Sequence, residues 1–184
     1  MLWFIWLIII VVALFIIMLI YYYNKFVVGE NRIDNSLSQI DVQLRKRAEL
    51  VPNLMETVKG YAKHEKGIMA DVTSARKAML SAGDIQGRMK AGNELQTALK
   101  SIFALAENYP QLKANENFLQ LQEELAAIED KIAYSRQFYN DSLLSFNNAV
   151  ERFPGVMFAG MFGKKEKAYV KLPEAVKSVP KVSF

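Results

Sequence analysis

The sequence predicts an all-α protein, with an N-terminal transmembrane helix followed by an antiparallel up-and-down bundle of three long helices and, as an option, a short fourth helix near the C-terminus. An uninterrupted apolar run covers residues 1–20, and two interleaved heptad series begin at residue 33. No stretch of useful length alternates apolar and polar residues as a half-buried strand would. The predicted domains are a transmembrane anchor (1–23), a helical bundle domain (24–152) and an apolar segment with an extended tail (153–184).

The N-terminal run predicts a single membrane-spanning helix. No charged residue occurs before Lys25, and about 20 helical residues span roughly 30 Å, the thickness of the hydrocarbon layer. Aromatic residues that favour membrane interfaces stand at its two ends: Trp3, Trp6, Tyr21, Tyr22 and Tyr23. A cleaved secretory signal is the alternative, but the run lacks a positive leading region, a short apolar core and a small-residue cleavage site. We therefore expect an uncleaved anchor.

Charge indicates which side of the membrane the soluble domain occupies. Lysine and arginine are absent before the span, whereas Lys25 and Arg32 follow it closely, so the positive-inside bias predicts a cytoplasmic domain. The net charge of +4 comes without a basic face with interleaved aromatics, which argues against nucleic acid as a partner. The chain has no cysteine, which excludes disulfides, thiolate metal sites and thiol catalysis.

The heptad series indicate helices that pack along an apolar seam. One series runs Ile33, Ile40, Arg47, Leu54, Tyr61, Ile68 and Ala75, and the other runs Leu37, Leu44, Val51, Val58, Glu65, Val72 and Met79. Alternating spacings of three and four residues are typical of coiled coils and helical bundles. Arg47 and Glu65 interrupt the apolar pattern. We expect each to extend its charge to the edge of the seam, with a neighbour such as Ala48 packing instead.

The stretch RKRAELVPNL places Pro52 inside the long amphipathic helix that the heptad series predict. The series keeps its phase across the proline, which predicts one kinked helix from about Asn24 to Ala82. Proline lacks an amide hydrogen and crowds the carbonyl four residues back, that of Ala48. The alternative places Pro52 in the first turn of a new helix, where the missing donor costs nothing.

Two further long helices follow. Gly83 is expected to end the first helix and Asp84 to cap the second, which ends at Asn108, Tyr109 and Pro110. Its apolar stripe is Ile85, Met89, Gly92, Leu95 or Gln96, Leu99, Ile102 and Ala106. Asn115 is expected to cap the third helix, which runs to about Arg152. Its stripe is Phe118, Leu121, Leu125, Ile128, Ile132, Ser135, Tyr139, Ser142 and Phe146.

An apolar segment, VMFAGMFG at 156–163, precedes a cluster of lysines. It is too short to span a bilayer, which leaves three interpretations: a short fourth helix under the bundle, a segment in the membrane interface, or a subunit contact. The interface interpretation uses the residues Met157, Phe158, Met161, Phe162, Lys164 and Lys165, with the lysines meeting lipid phosphates. The tail residues Val179, Val182 and Phe184 are candidates for docking on the bundle.

The sequence contains no recognised catalytic, cofactor or metal motif. The only histidine, His64, lies in the charged stretch KHEK, and Ile68 stands where an H-E-x-x-H zinc motif requires histidine. Met161 stands where a phosphate-binding loop requires lysine. We therefore expect a protein that is not an enzyme and needs no cofactor, and a solvated His64.

Three stretches resemble the bacterial LemA family: NSLSQIDVQLRKRAELVPNLMETVKGYAKHE at 35–65, RFPGVMFAGMFG near the C-terminus and the final PKVSF. The resemblance implies a helical bundle in a membrane-anchored bacterial protein, and hence a place in the bacterial cell (inner) membrane. It also implies a context of envelope stress and membrane proteases. It carries no catalytic or ligand-binding residue onto this chain.

Three functional hypotheses follow. The first is a non-enzymatic scaffold that assembles with itself through its soluble helices. The second is an adaptor for a membrane protein such as a protease or transporter; its candidate contact residues are Arg45, Lys46, Arg47, Pro52 and Glu65. An upright first helix would carry Arg45 roughly 35 Å beyond the span, which favours a protein over lipid as its partner. The third is a lipid-binding or membrane-remodelling protein that uses residues 156–167.

Overall fold

The computed structural model describes residues 2–169, and every regular element in that range is helical, which confirms the all-α class. The helices are α1 (Leu2–Tyr61), α2 (Lys66–Ser81), α3 (Ile85–Ala106), α4 (Pro110–Lys113), α5 (Glu116–Glu151) and α6 (Gly155–Met161). The predicted tail contacts of Val179, Val182 and Phe184 lie outside the described residues.

The first helix carries the apolar run at its start. The N-terminal part of α1 is long and apolar enough to cross a membrane, and its apolar residues are not buried in the protein. The helix then continues without interruption through Pro52 to Tyr61. The alternative of a new helix beginning at Pro52 is therefore wrong.

The predicted helix from Asn24 to Ala82 is wrong in its second half, because residues 62–65 form a turn between α1 and α2. Gly60 and Gly67 flank this turn, and glycine lowers helix stability by about 1 kcal/mol relative to alanine. The backbone amide of Glu65 donates to the Ala62 carbonyl at 3.2 Å within the turn. The heptad phase nevertheless continues into α2, where Val72 and Met79 are buried, so the phase alone could not reveal the break.

The two predicted N-caps are confirmed. The Asp84 carboxylate accepts a hydrogen bond from the Gly87 amide at 2.6 Å at the start of α3. Asn115 accepts from the Phe118 amide at 3.0 Å at the start of α5. A side-chain acceptor satisfies a backbone donor that the first helical turn leaves unpaired.

The predicted stripe of the third long helix coincides with the buried face of α5. Each of its residues is buried: Phe118, Leu121, Leu125, Ile128, Ile132, Ser135, Tyr139, Ser142 and Phe146. The helix ends at Glu151, next to the predicted end. After the cis Phe153–Pro154 peptide bond, α6 is the short helix that was predicted as an option near the C-terminus.

The chain divides into two compact units, and both α1 and α5 contribute to each. Among the described residues, one unit contains residues 2–33 and 139–169, and the other contains residues 34–138. We call them the anchor unit and the central unit. In the central unit the core is the seam of α1, with Ile40, Leu44, Val51 and Leu54 buried, packed with the buried faces of the helices that follow.

Candidate functional site

The basic cluster of RKRAELVPNL divides between the surface and the core of the central unit. Arg45 is exposed, and its Nε lies 3.0 Å from the carboxylate of Asp41 one turn earlier. Arg88 of α3 binds the other oxygen of Asp41 at 2.5 Å. Lys46 is exposed. Arg47 is only 2% exposed, so it is not available to a partner at the surface.

Arg47 joins three helices. From α1, its Nη1 donates to the Gly92 carbonyl of α3 at 3.0 Å, and its Nη2 forms an ion pair with the Glu129 carboxylate of α5. The expectation that Arg47 reaches the seam's edge is therefore wrong, although Ala48 beside it is fully buried as expected. A buried charge needs a paired charge and hydrogen-bond acceptors, and Arg47 has both.

The lack of a side chain at Gly92 lets Arg47 reach the backbone of α3. A Cβ atom at this position would lie 2.6 Å from Leu44 Cδ2, far inside ordinary contact distance. Because glycine has no side chain, α3 can pack closely against α1 at this level, and the Gly92 carbonyl comes within reach of Arg47. The predicted stripe included Gly92, but its connection to Arg47 depends on packing between distant parts of the chain.

A second arginine lies near the first. Arg136 of α5 donates from Nη2 to the Asn93 side-chain oxygen at 2.8 Å, and burial lowers its pKa. Burial, and to a lesser extent repulsion from Arg136, lowers the pKa of Arg47 to about 10. Arg47 is therefore protonated at neutral pH, and the Glu129 carboxylate supplies its opposite charge.

The carbonyl released by Pro52 has a specific partner. In an unbroken helix the Ala48 carbonyl would accept from the amide at position 52, which proline lacks. Instead, Arg76 of α2 donates from Nε to the Ala48 oxygen at 2.7 Å. The proline thus creates an acceptor that joins α1 to α2. The predicted kink itself stays a prediction.

The turn between α1 and α2 holds the other candidate polar residues. Glu65 is half-buried, and Tyr109 donates its hydroxyl to the Glu65 carboxylate at 3.3 Å. His64 is exposed, as expected. Across residues 2–169, no group of three or more His, Cys, Asp or Glu side chains is placed to hold a metal ion.

In the anchor unit, the predicted membrane-interface residues of α6, with Phe162 just after it, divide into a packed group and an exposed group. Phe158 is 4% exposed, and its ring stacks on Tyr22 with centroids 5.0 Å apart. Phe162 is half-buried and packs edge-on against Tyr23 at 5.4 Å. Met157 and Met161 are 60% and 61% exposed on the other side. Trp3, Trp6, Tyr21 and Tyr23 are also exposed.

The lysines after α6 differ in their partners. Lys164 Nζ lies 2.7 Å from the Glu30 carboxylate, whereas Lys165 is exposed. The buried Asn147 fastens the chain further on: it donates to the Lys167 carbonyl at 2.9 Å and accepts from the Lys167 amide at 3.0 Å. The sequence gives no signal for Asn147, Glu30 and Arg76, because each is an ordinary polar residue on a helix until its distant partner is known.

These contacts define a class of protein: an all-helical chain with an N-terminal apolar helix suited to a membrane and a central unit fastened by a buried arginine. The sequence pattern of the LemA family matches residues 36–184. The chain therefore belongs to the LemA family, as its RKRAELVPNL block indicated.

Three curated relatives show how far the likeness extends. Magnetosome protein MamQ of Magnetospirillum gryphiswaldense is 25% identical over 173 residues, covering 80% of this chain and 64% of the relative. Protein LemA of Metamycoplasma hominis is 28% identical over 134 residues, covering 71% and 60%. Magnetosome protein MamQ 2 of Paramagnetospirillum magneticum is 24% identical over 173 residues, covering 80% and 64%. The chain spans less than two thirds of the length of these relatives, and none of their names specifies a reaction.

Proposed function

We propose that the protein is a non-enzymatic scaffold, anchored in the bacterial inner membrane by α1, with a cytoplasmic domain that associates with further copies of itself. The observation that carries this proposal is an exposed aromatic pair on α5 in the central unit. Tyr134 and Phe138, one helical turn apart, are 69% and 36% exposed. Residues four apart share one face of a helix, and aromatic side chains are enriched in protein interfaces.

The exposed side of α5 that carries Tyr134 and Phe138, which we call the outer face of α5, has a residue spacing that suits contact with a second helix. The exposed Ala127 lies one heptad before Tyr134, and a small residue there lets a second helix approach. Lys131 lies between them on the same side of α5 and is also exposed. The predicted seam of α1 cannot serve this purpose, because its residues Ile40, Leu44 and Leu54 are fully buried within the chain.

The Arg47 contacts support the structural part of the proposal. They hold Arg47, the charge of RKRAELVPNL that interrupts the apolar seam, inside the central unit, where it links α1, α3 and α5. A scaffold needs such fixed geometry, since its surfaces must present the same arrangement to every partner.

The mass of the full-length protein in detergent tests self-association. Light scattering after gel filtration is expected to give more than one chain per particle for the natural sequence. The double variant Tyr134→Ser with Phe138→Ser is expected to be smaller. Leu80→Ser, which changes an exposed leucine of α2, is the control and is expected to keep the assembly. A natural protein that is monomeric at micromolar concentration would refute self-association.

An adaptor for a membrane protein such as a protease or transporter is the second candidate. The observation that favours it is that Arg45 and Lys46, two of its candidate contact residues, are exposed. Crosslinking from Lys46 in cells would then capture a second, different protein. Recovery of self-crosslinks alone would favour the scaffold.

A further inference from the structure

The short helix α6 lies against the part of α1 that leaves the apolar run. The Phe158 ring stacks on Tyr22 at an angle of 11° and lies 6.0 Å from the ring of Phe15. Phe15 belongs to the apolar run. Tyr22 belongs to the group of three tyrosines that follows the run, residues 21–23, which we call the aromatic belt. Phe15 lies seven residues before Tyr22, which corresponds to about 10 Å along the helix. Because the Phe158 ring lies near both of these rings, it reaches the depth of the last turns of the span.

The side of α6 that faces away from α1 is also apolar. The segment from Gly155 to Met161 contains no charged or polar side chain. Val156, Met157 and Met161 are 47%, 60% and 61% exposed, and Phe153 just before the helix is 79% exposed. Water solvates a cluster of exposed apolar side chains poorly, and such clusters mark contacts with membranes or other proteins.

Close packing fixes the position of this apolar surface relative to the span. A Cβ atom at Gly155 would lie 3.1 Å from Tyr22 Cε1, so α6 begins in direct contact with α1. At its other end, the ion pair between Lys164 and Glu30 joins the chain after α6 to α1 again. These two attachments keep α6 from moving away from the aromatic belt.

We propose that α6 is a second membrane contact: its outer face, defined by Phe153, Val156, Met157 and Met161, is inserted among lipid acyl chains just below the headgroups. The inference rests on the proposed membrane anchor. Lipid is the occupant because Phe158 lies against Phe15 of the apolar run, so that the outer face lies beside the exposed surface of the proposed span. The exposed Lys165 stands where a lysine meets lipid phosphates, whereas Lys164 is paired with Glu30.

Single-cysteine labelling of the full-length protein tests this inference, and the natural sequence contributes no background because it has no cysteine. The variants Met157→Cys and Met161→Cys carry a polarity-sensitive fluorophore in vesicles of phosphatidylcholine and phosphatidylglycerol. Lipids brominated on the acyl chains quench labels in the hydrocarbon layer, and iodide quenches labels in water. Val12→Cys reports on the span, and Gln122→Cys, on the exposed side of α5, reports on water.

We expect labels at positions 157 and 161 to show blue-shifted emission, strong quenching by brominated lipid and protection from iodide, as at position 12. Iodide quenching at position 157 equal to that at position 122 would overturn the inference. Protection from iodide without quenching by brominated lipid would also overturn it, because a protein surface would then cover α6. If position 12 also lacks quenching by brominated lipid, the anchor itself fails; if position 12 is quenched and 157 is not, only the inference fails.

Discussion

Replacement of Arg47 is the sharpest test of how the central unit is held together. The side chain is 2% exposed and pairs with Glu129, whose side chain is 33% exposed. Removing one member of a buried ion pair costs about 3–5 kcal/mol, because the other charge is left without a partner. Glu129 keeps some access to water, so we expect Arg47→Ala to lie near the lower end of this range.

A loss of about 3 kcal/mol corresponds to a fall in Tm of about 6–12 °C for a protein of this size. Circular dichroism of the full-length protein in detergent measures this change. Arg45→Ala is the matched control, since the exposed pair with Asp41 is worth about 0.2–1 kcal/mol. The fall in Tm for Arg45→Ala should therefore stay below about 4 °C.

The two members of the pair should not be equivalent. Glu129→Ala leaves the Arg47 guanidinium in the core, whereas Arg47→Ala leaves a carboxylate that water can reach. Glu129→Ala is therefore expected to cost at least as much, and the double variant less than the sum of the single variants. Equal Tm values for Arg47→Ala and Arg45→Ala would refute the assignment of Arg47 as the fastening residue, and so would strict additivity of the Arg47 and Glu129 changes.

Three further predictions follow from single contacts. Gly92→Ala should destabilise the protein by about 1–3 kcal/mol in urea unfolding, whereas Gly60→Ala, with open space around it, should be neutral or stabilising; the reverse order would contradict the close packing of α1 and α3. Arg76→Ala should cost about 1.5–3 kcal/mol in the natural sequence and less in a Pro52→Ala background, where the helix regains its own donor; identical costs in a double-mutant cycle would contradict the proposed pairing. Asn147→Ala should speed proteolysis and amide exchange at residues 164–169, and unchanged exchange there would remove its role as a fastener.

Local signals predicted much of the fold. The caps at Asp84 and Asn115 and the buried stripe of α5 each depend on residues within a few turns of one another, so the sequence alone identifies them. The turn at residues 62–65 escaped prediction because the apolar phase resumes in α2, where Val72 and Met79 are buried. A periodic pattern records which face is buried and does not record an interruption that preserves the phase.

The candidate site was less accessible to sequence reasoning. Arg47 stands out as a charge on an apolar seam, but its partners Gly92 and Glu129 come from helices far along the chain. Their identity depends on the packing of α1, α3 and α5, which the sequence does not specify directly. The role of α6 was open for a related reason: an apolar run of eight residues is compatible with a core helix, a membrane contact or a subunit contact, and the structure uses one side of α6 for packing.

Crosslinking in native membranes tests most directly the proposal that copies of the chain contact one another through the outer face of α5. A single cysteine at position 134 (Tyr134→Cys), in a chain without other cysteines, is treated with a short bismaleimide. Lys100→Cys, on an exposed position of α3, is the control. The scaffold proposal predicts a crosslinked dimer for position 134 and little or none for position 100. A dimer yield at position 134 no higher than at position 100 would contradict it.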